Sequence, residues 1–143
     1  MLIRKIKKSD VEFIIDLMNE GLKYNKKYDP QLYTGVSDKD FRDKINQLNS
    51  NSLILVAEDR GTIVGYILGL MKEKTGIIGD LVVSRKYRRK GIGKRLTNSM
   101  IKYFKENGCT KSKLNVFEKN TTAIKAYSRY GFKKHIAIMT KKL

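Results

Sequence analysis

The sequence is poor in several residues that mark particular classes of protein. Its single cysteine, Cys109, cannot form an internal disulfide in this 143-residue chain, so a reducing, cytoplasmic location is expected. His135 is the only histidine, and no His, Cys and Asp cluster has the spacing of metal ligands. No apolar run approaches the ~20 residues of a membrane-spanning helix, and no signal-peptide core is recognisable at the N-terminus. We therefore expect a soluble chain with no metal and no membrane segment.

Acidic residues are scarce in the second half of the chain. Residues 1–60 carry 11 Lys and Arg against 10 Asp and Glu, whereas residues 61–143 carry 20 against 4. The formal net charge of the whole chain is +17. A basic half of this kind can attract a phosphate-bearing cofactor, a nucleic acid or an acidic protein surface, and it can equally be a solvated surface without a partner.

The stretch from Arg88 to Gly93 lies between a predicted strand and a predicted helix. Residues 85–95 contain seven basic and no acidic side chains. A helix N-terminus offers free backbone N–H groups and partial positive charge, and glycines let a ligand approach that backbone closely. The pattern favours an anion, most plausibly a pyrophosphate, at this turn. The glycine fingerprint of dinucleotide-binding folds fails because it needs three glycines and an acidic residue further on. The P-loop fails because it needs Gly-Lys-Ser/Thr after a four-residue gap.

Hydrophobic periodicity and turn residues predict one domain with the order β-α-α-β-β-β-α-β-α-β. Ser9 and Glu12 form a predicted capping box for the first helix, and Ser37 is the predicted cap of the second. Residues 23–36, which are rich in tyrosine, are predicted to form a loop. The predicted strands cover Leu2–Ile6, Leu53–Glu58, Thr62–Met71, Ile77–Val83, Ser112–Phe117 and Phe132–Lys141. The two later helices are predicted over Gly91–Glu106 and Asn120–Tyr130.

Two motifs in this order resemble the GNAT N-acetyltransferase superfamily. The first is Arg88-x-x-Gly91-x-Gly93, similar to the acetyl-CoA signature of that superfamily. The second, 26 to 44 residues after Arg88, is Leu114-x-Val116-x-x-x-Asn120-x-x-Ala123-x-x-x-Tyr127-x-x-x-Gly131-Phe132. The resemblance covers residues 53–143 well and the first 50 loosely. It implies the GNAT fold, an α/β mixed sheet that is mostly antiparallel and splayed at the cofactor site, with acceptor-side helices in 1–52 and the acetyl-CoA-binding core in 53–143.

The resemblance also implies roles for individual residues in transfer of acetyl from acetyl-CoA to a primary amine, with CoA as product. Tyr127 is expected to be the general acid that protonates the leaving thiolate. The strand around Leu81 is expected to carry a bulge whose backbone donor binds the carbonyl oxygen. Asn120 is expected both to cap its helix and to contact pantetheine. The full set of implied cofactor contacts is Leu81, Val82, Val83, Arg88, Arg89, Lys90, Gly91, Ile92, Gly93, Lys94, Asn120, Ala123 and Tyr127.

The group that accepts the proton of the amine is less clear from the sequence. Members that acetylate ribosomal proteins place Glu before the Val of the second motif, but this chain has Asn115, which cannot be a base. Polyamine-type members have an acidic pair before the preceding Leu-x-Val, and this chain keeps one acid there, Asp80. Asp80 is therefore the preferred candidate, with Glu73, Glu118 or water as alternatives. A small, polyamine-like acceptor is slightly favoured over a protein N-terminus or lysine.

Two further expectations concern partners. Only twelve residues follow Gly131, fewer than the two strands that members of the superfamily place there, so a neighbouring subunit could supply the missing strand in a homodimer. The alternatives from another class are a non-catalytic CoA binder and a basic module for nucleic acid or the ribosome. The basic face of such a module would consist of Lys111, Lys113, Lys119, Lys125, Arg129 and Lys133. Interleaved aromatic residues for base stacking are lacking, so a nucleic acid is not required.

Overall fold

A five-stranded sheet organises the chain in this computed structural model, which describes residues 1–30 and 37–143. The strands are β1 Leu2–Lys5, β2 Ser52–Asp59, β3 Thr62–Lys72, β4 Thr75–Val83 and β5 Lys111–Leu114. The helices are α1 Val11–Asn25, α2 Asp38–Asn46, α3 Ile92–Glu106 and α4 Thr121–Arg129. Strands β1 to β4 pair antiparallel in chain order, and β5 adds to β4 in parallel. The predicted fold class is thereby confirmed.

The two faces of the sheet bury different helices because side chains along a strand alternate in direction. On one face, α1 and α2 cover Ile54, Val56 and Tyr66. On the other face, α3 covers Leu53, Leu55 and Ile67. Helix α1 crosses β4 closely, since a Cβ on Gly21 would lie 2.9 Å from a methyl group of Val82.

The start of the chain is held by a charged cluster rather than by the predicted capping box at Ser9. The Arg4 guanidinium donates to Glu58 at 2.6 Å and to Asp10 at 2.7 Å, which ties β1 to β2 and to the start of α1. The pairing with Arg4 lowers the pKa of the buried Asp10 carboxyl. Ser9 lies instead in a short 3-10 turn over Lys8–Asp10, because the Asp10 carboxylate accepts a hydrogen bond from the Lys7 N–H at 2.7 Å.

Of three other predicted elements, the cap of α2 forms as predicted, the loop after α1 begins later, and the last strand does not form. Ser37 does cap α2, with its Oγ accepting from the Asp40 N–H. The loop predicted over 23–36 begins later, because α1 continues to Asn25, and residues 31–36 of that loop lie outside the described residues. The strand predicted over Phe132–Lys141 is wrong for the isolated chain, since residues 132–143 contain neither helix nor strand. Among the described residues, no strand pairs with this segment. No helix within residues 1–30 and 37–143 has both the length and the apolarity to cross a bilayer.

Helix α3 packs so closely on β4 that one glycine has no room for a side chain. A Cβ on Gly76 would lie 2.2 Å from Cδ2 of Phe104, a buried ring of α3. Overpacking of this kind costs about 2 kcal/mol. We therefore expect Gly76→Ala to lower the melting temperature by about 6 °C, measured by circular dichroism. In the double-mutant cycle, Phe104→Leu should cost less in the Gly76→Ala background than in the wild type; equal costs would show that the two sites do not clash.

Candidate active site

The groove of interest opens where β4 and β5 separate. Their parallel pairing ends at Ile78 and Leu114, while β4 continues for five more residues to Val83. Within the described part of the chain, the β5-facing edge of β4 over residues 79–83 has no strand partner. Backbone groups on such an edge are free to bond an extended ligand in the way that an added strand would. The structure thus contains the splayed sheet that was predicted.

A β-bulge at Gly79 determines which side chains face each side of this groove. In the β3–β4 register, Leu68 faces Asp80 and the next residue, Gly69, faces Ile78, so Gly79 is the extra residue. The bulge reverses the alternation of side chains along β4. Ile78 therefore packs towards α3, whereas Val82 is buried on the face of α1 and α2. Leu81 and Val83 return to the α3 face.

Asp80 is placed by the bulge beside a buried tyrosine. The Tyr66 hydroxyl donates a hydrogen bond to Asp80 Oδ2. Burial raises the pKa of the Asp80 carboxyl, while the bond from Tyr66, the Leu81 N–H and the charge of Lys44 act in the opposite direction. Burial also raises the pKa of Tyr66, with the charge of Asp80 adding to it, so the proton stays on the phenol. Asp80 is thus a half-buried carboxyl whose Oδ2 is held by Tyr66 and whose pKa is raised. Catalytic acids and bases are often found in such an environment.

Tyr127 of α4 lies within the electrostatic reach of Asp80. Burial raises the pKa of Tyr127 to about 12, and the charge of Asp80 contributes in the same direction. The ring is held edge-on by Tyr130, with centroids 6.2 Å apart, and by Phe132 at 5.9 Å. Within residues 1–30 and 37–143, the Tyr127 hydroxyl has no hydrogen-bond partner in the protein. The phenol is therefore protonated and free to donate to a ligand in the groove.

The turn before α3 has the backbone shape that the glycine motif predicted. Arg89 and Gly91 both have left-handed backbone, with φ of 64° and 76°. The first helical bond runs from the Arg95 N–H to the Gly91 carbonyl at 3.1 Å, so the preceding N–H groups have no acceptor within the helix. A Cβ on Gly91 would meet nothing within 4 Å, and one on Gly93 would meet only atoms 3.9 Å or more away. An anion has both donors and space at this turn.

The side chain of Arg88 is already engaged by the protein. Its Nε donates to the Val83 carbonyl at 2.9 Å, and its Nη2 lies 3.5 Å from Glu20 Oε1. Its guanidinium carbon lies 4.9 Å from the centre of the Tyr24 ring. Arg88 thus fixes the turn against α1, and a contact between Arg88 and a cofactor stays a prediction. Lys90 lies over the Tyr87 ring at 5.1 Å, while Ile92 is buried and Lys94 is on the first turn of α3.

The second motif forms the opposite wall. Asn120 caps α4, since its Oδ1 accepts from the Ala123 N–H at 3.1 Å, so the capping half of its expected role is confirmed. Ala123 is half-buried on the first turn of that helix. The two alternative acids are exposed, Glu73 in the β3–β4 turn and Glu118 in the loop before α4. Asp80 thus lies within electrostatic reach of Tyr127, whereas Glu73 and Glu118 are on the exposed surface.

Aromatic side chains bridge the ends of α1 and β5 near the groove. The Tyr28 ring stacks on Phe117 with centroids 5.7 Å apart, and Lys27 Nζ lies 4.0 Å from the centre of the Tyr24 ring. A separate cavity of about 320 Å³ lies under α2, bounded mainly by apolar side chains such as Leu68. Leu68, which lines this cavity, is the register partner of Asp80 on β4, and Asp80 itself does not line the cavity.

Sequence reasoning missed two residues of the site. Tyr66 lies in the middle of an apolar strand, and a buried tyrosine needs a hydrogen-bond partner for its hydroxyl. The sequence could therefore have predicted a polar partner next to Tyr66. Glu20 accepts from the Arg85 N–H at 2.6 Å and pairs with Arg88, but an acid on the polar side of a helix gives no sign of such a role. In the described part of the chain, no group of three or more His, Cys, Asp or Glu side chains is placed to hold a metal ion.

Comparison with known proteins gives consistent matches. The sequence profile of the acetyltransferase (GNAT) family matches residues 21–132. A tetramutant of the BH1408 protein from Bacillus halodurans has a TM-score of 0.87 at 22% identity, covering 100% of both chains. The PaiA N-acetyltransferase from Thermoplasma acidophilum, solved with coenzyme A, has a TM-score of 0.81 at 26% identity, covering 92% of this chain and 89% of its own. Glucosamine-6-phosphate N-acetyltransferase from Arabidopsis thaliana has a TM-score of 0.75 at 23% identity, with coverage of 99% and 97%.

Proposed function

Because this chain belongs to the acetyltransferase (GNAT) family, we propose that it transfers acetyl from acetyl-CoA to a primary amine. The observation that carries the proposal is the alignment of three features along one groove. A free strand edge follows the bulge at Gly79, a helix N-terminus with open glycines lies at one end, and Asp80 and Tyr127 lie at the other. Such a groove fits a ligand that is long, extended and anionic at one end only.

The residues present fit the parts of acetyl-CoA. Space and free N–H groups at Arg89–Lys94 suit the diphosphate, and the surrounding basic side chains suit a further phosphate. The free edge over Leu81–Val83 suits the amides of pantetheine. Backbone N–H groups next to the bulge suit the thioester carbonyl oxygen, which gains negative charge during the reaction. The thioester supplies an activated acetyl group, so no enzyme nucleophile is needed.

In the proposed mechanism, Asp80 binds the acceptor ammonium and takes up its proton, directly or through water. The raised pKa of the Asp80 carboxyl makes it a stronger base than an exposed aspartate. The neutral amine then attacks the carbonyl carbon, the C–S bond breaks, and Tyr127 protonates the departing sulfur. The nitrogen, now cationic, loses its second proton through water to the Tyr127 phenolate, which restores the phenol. A phenol with a pKa of about 12 is a weaker acid than a free thiol, with a pKa of ~8.5. Burial in the same groove also raises the pKa of the CoA thiol, which reduces the difference between the pKa values of the phenol and the thiol.

A small amine or polyamine is the acceptor that we favour. The carboxyl of Asp80 supplies one negative charge for a cationic acceptor, and the cavity under α2 that Leu68 lines has mainly apolar side chains, which suit an aliphatic chain. Protein N-termini or lysines remain the second acceptor class. A panel of polyamines, free lysine, aminoglycosides and N-terminal peptides, assayed by thiol release from acetyl-CoA, separates these classes. Salt-sensitive nucleic-acid binding without any turnover would instead support a basic binding module.

Gly93→Ala provides a direct test of the diphosphate site. The added methyl group meets nothing closer than 3.9 Å, and Ala stabilises a helix by about 1 kcal/mol relative to Gly. We expect the variant to melt at a higher temperature while its affinity for acetyl-CoA, measured by calorimetry, falls about 10-fold or more, because one methyl group fills the approach to the backbone.

The control variant is Lys102→Ala at the other end of α3, which should bind acetyl-CoA normally. The control ligand is a thioester without diphosphate, S-acetyl-N-acetylcysteamine, which wild type and Gly93→Ala should use equally. Undiminished acetyl-CoA binding by Gly93→Ala would place the diphosphate elsewhere, and absence of binding to the wild type would overturn the proposed function.

A further inference from the structure

The space in front of Gly93 is bounded by the hydroxyl of Tyr130, the residue that directly follows α4. A Cβ on Gly93 would have the Tyr130 hydroxyl oxygen within 3.9 Å. The other neighbours of that Cβ are methyl groups of Val83 at 3.9 Å and Leu81 at 4.0 Å, on the part of β4 that extends beyond β5. The hydroxyl thus lies where the basic turn, the free end of β4 and the end of α4 meet.

Tyr130 is held in place, but its hydroxyl makes no bond to the protein. Its N–H donates to the Ala126 carbonyl at 3.2 Å and to the Tyr127 carbonyl at 3.0 Å, and its ring meets the Tyr127 ring edge-on. Within residues 1–30 and 37–143, the hydroxyl has no hydrogen-bond partner, although the residue is half-buried. Tyrosines that are removed from water usually bond their hydroxyl. The hydroxyl of Tyr130 is therefore a donor that is available to a ligand.

The end of α4 places two such phenols side by side. Tyr127 and Tyr130 are three residues apart, so they are neighbours on one side of the helix. Tyr130 also contributes to the raised pKa of Tyr127, as expected for two phenols that lie close together. Tyr127 lies within electrostatic reach of Asp80, whereas Tyr130 lies beside the turn before α3. The two hydroxyls therefore serve different parts of the same groove.

Tyr130 differs from the basic side chains of the turn in being fixed before any ligand binds. Arg89, Lys90 and Lys94 are exposed, and such long side chains lose conformational freedom when they bind. Arg88 is already bonded to the Val83 carbonyl. The N–H groups of the turn approach an anion from one side, and the Tyr130 hydroxyl approaches the same space from α4. An anion at this turn would therefore have donors on two sides.

We propose that the Tyr130 hydroxyl donates a hydrogen bond to the diphosphate of acetyl-CoA and is a cofactor-binding residue of this chain. The inference rests on the proposed function, because the diphosphate site at residues 89–94 is part of it. Tyr130 makes no bond to the reacting atoms, so it contributes to the affinity for the cofactor and not to the chemical step. It thereby favours a thioester that carries a diphosphate over one that carries pantetheine alone.

Calorimetry of Tyr130→Phe with two thioesters tests the proposal. Phe keeps the ring that contacts Tyr127 and removes only the hydroxyl oxygen. We expect the dissociation constant of acetyl-CoA to increase about 10-fold or more, because hydrogen bonds to charged groups are the stronger ones. The dissociation constant of S-acetylpantetheine, which has no phosphate, should change less than about twofold. At saturating acetyl-CoA, kcat should also stay within about twofold of the wild type, in contrast to Tyr127→Phe.

The matched control is Tyr103→Phe on α3, which removes the hydroxyl of another half-buried tyrosine and should bind both thioesters like the wild type. Equal affinity of wild type and Tyr130→Phe for acetyl-CoA would overturn the inference and leave the proposed function intact. An equal loss of affinity for both thioesters would also overturn it, because the hydroxyl would then contact pantetheine. A wild type that binds no acetyl-CoA would overturn the inference and the proposed function together.

Thermal unfolding provides a second measurement that needs no turnover. A ligand that binds only the folded chain raises its melting temperature according to its affinity. CoA should therefore raise the melting temperature of Tyr130→Phe less than that of the wild type, whereas pantetheine should raise both equally. Without ligand the two proteins should melt within about 2 °C of each other, because the hydroxyl has no protein partner to lose. A clearly lower melting temperature of Tyr130→Phe without ligand would show that the hydroxyl is bonded within the protein, which contradicts the proposal.

Discussion

Tyr127→Phe is expected to lower kcat for acetyl transfer roughly 10²- to 10³-fold while leaving the affinity for acetyl-CoA nearly unchanged, which is the range observed for loss of a general acid. The hydroxyl is half-buried and makes no protein hydrogen bond in the described residues, so its removal leaves no partner unsatisfied. Stability should therefore stay within about 1 kcal/mol of the wild type. The measurement is thiol release from acetyl-CoA at saturating acceptor, together with calorimetry of acetyl-CoA binding.

The control for this variant is Tyr103→Phe, which removes the hydroxyl of another half-buried tyrosine on a different helix. It should retain normal kcat. The pH profile provides a further check, because a Tyr127 pKa of about 12 predicts no loss of activity from this group up to about pH 11. Near-normal kcat in Tyr127→Phe would remove Tyr127 from the mechanism and leave water as the proton donor.

Asp80→Asn is expected to lower kcat/KM about 10²-fold near pH 7 and by much less near pH 10. The reason is that amines are mostly protonated at neutral pH, and Asp80 is proposed to take up the proton, whereas at high pH the neutral amine is already abundant. The measurement is the ratio of wild-type to variant kcat/KM as a function of pH. Asp43→Asn, on the exposed side of α2, is the matched control and should be unaffected.

Asp80→Asn should lower activity but increase stability at high pH. The pKa of Asp80 is raised in the folded state, so folding favours the neutral carboxyl. The resulting contribution to the free energy of unfolding is fully present below the pKa of the unfolded chain. It is lost as the pH rises through the pKa of the folded state. Each unit of the raised pKa corresponds to about 1.4 kcal/mol. Asp80→Asn should therefore increase the free energy of unfolding at pH 8 and change it little at pH 4. A pH-independent effect would contradict the raised pKa.

Tyr66→Phe distinguishes positioning from catalysis at this carboxyl. The bond donated by Tyr66 favours the ionised form of Asp80, so its loss should raise the pKa of Asp80 further and move the acidic limb of the rate profile to higher pH. Asp80→Asn should remove the contribution of Asp80 to the acidic limb of the pH–rate profile. Tyr66→Phe should keep that limb and only shift it to higher pH. An unmoved limb in Tyr66→Phe would limit Tyr66 to a structural role.

Local patterns were sufficient to predict most of the elements and the two motifs. Apolar runs bounded by turn residues located β2 to β4, and the periodicity of α3 together with Gly108 located its end. The caps at Ser37 and Asn120 formed as predicted because capping is decided by residues within one turn of each other. The prediction at Ser9 was wrong because the partner that organises that turn, Arg4, comes from a neighbouring strand.

The sequence by itself determined the order of the elements from β1 to α4 and the basic turn before α3, since these depend on neighbours in the chain. Only the tertiary structure decided that Gly79 is a bulge, that Asp80 thereby faces Tyr66, and that Arg88 is bound to α1 rather than free. It also showed that the segment after Phe132 pairs with no strand of residues 1–30 and 37–143. The physical reason is that strand register, burial and long-range ion pairs join residues distant in sequence, and no local pattern specifies which of them will meet.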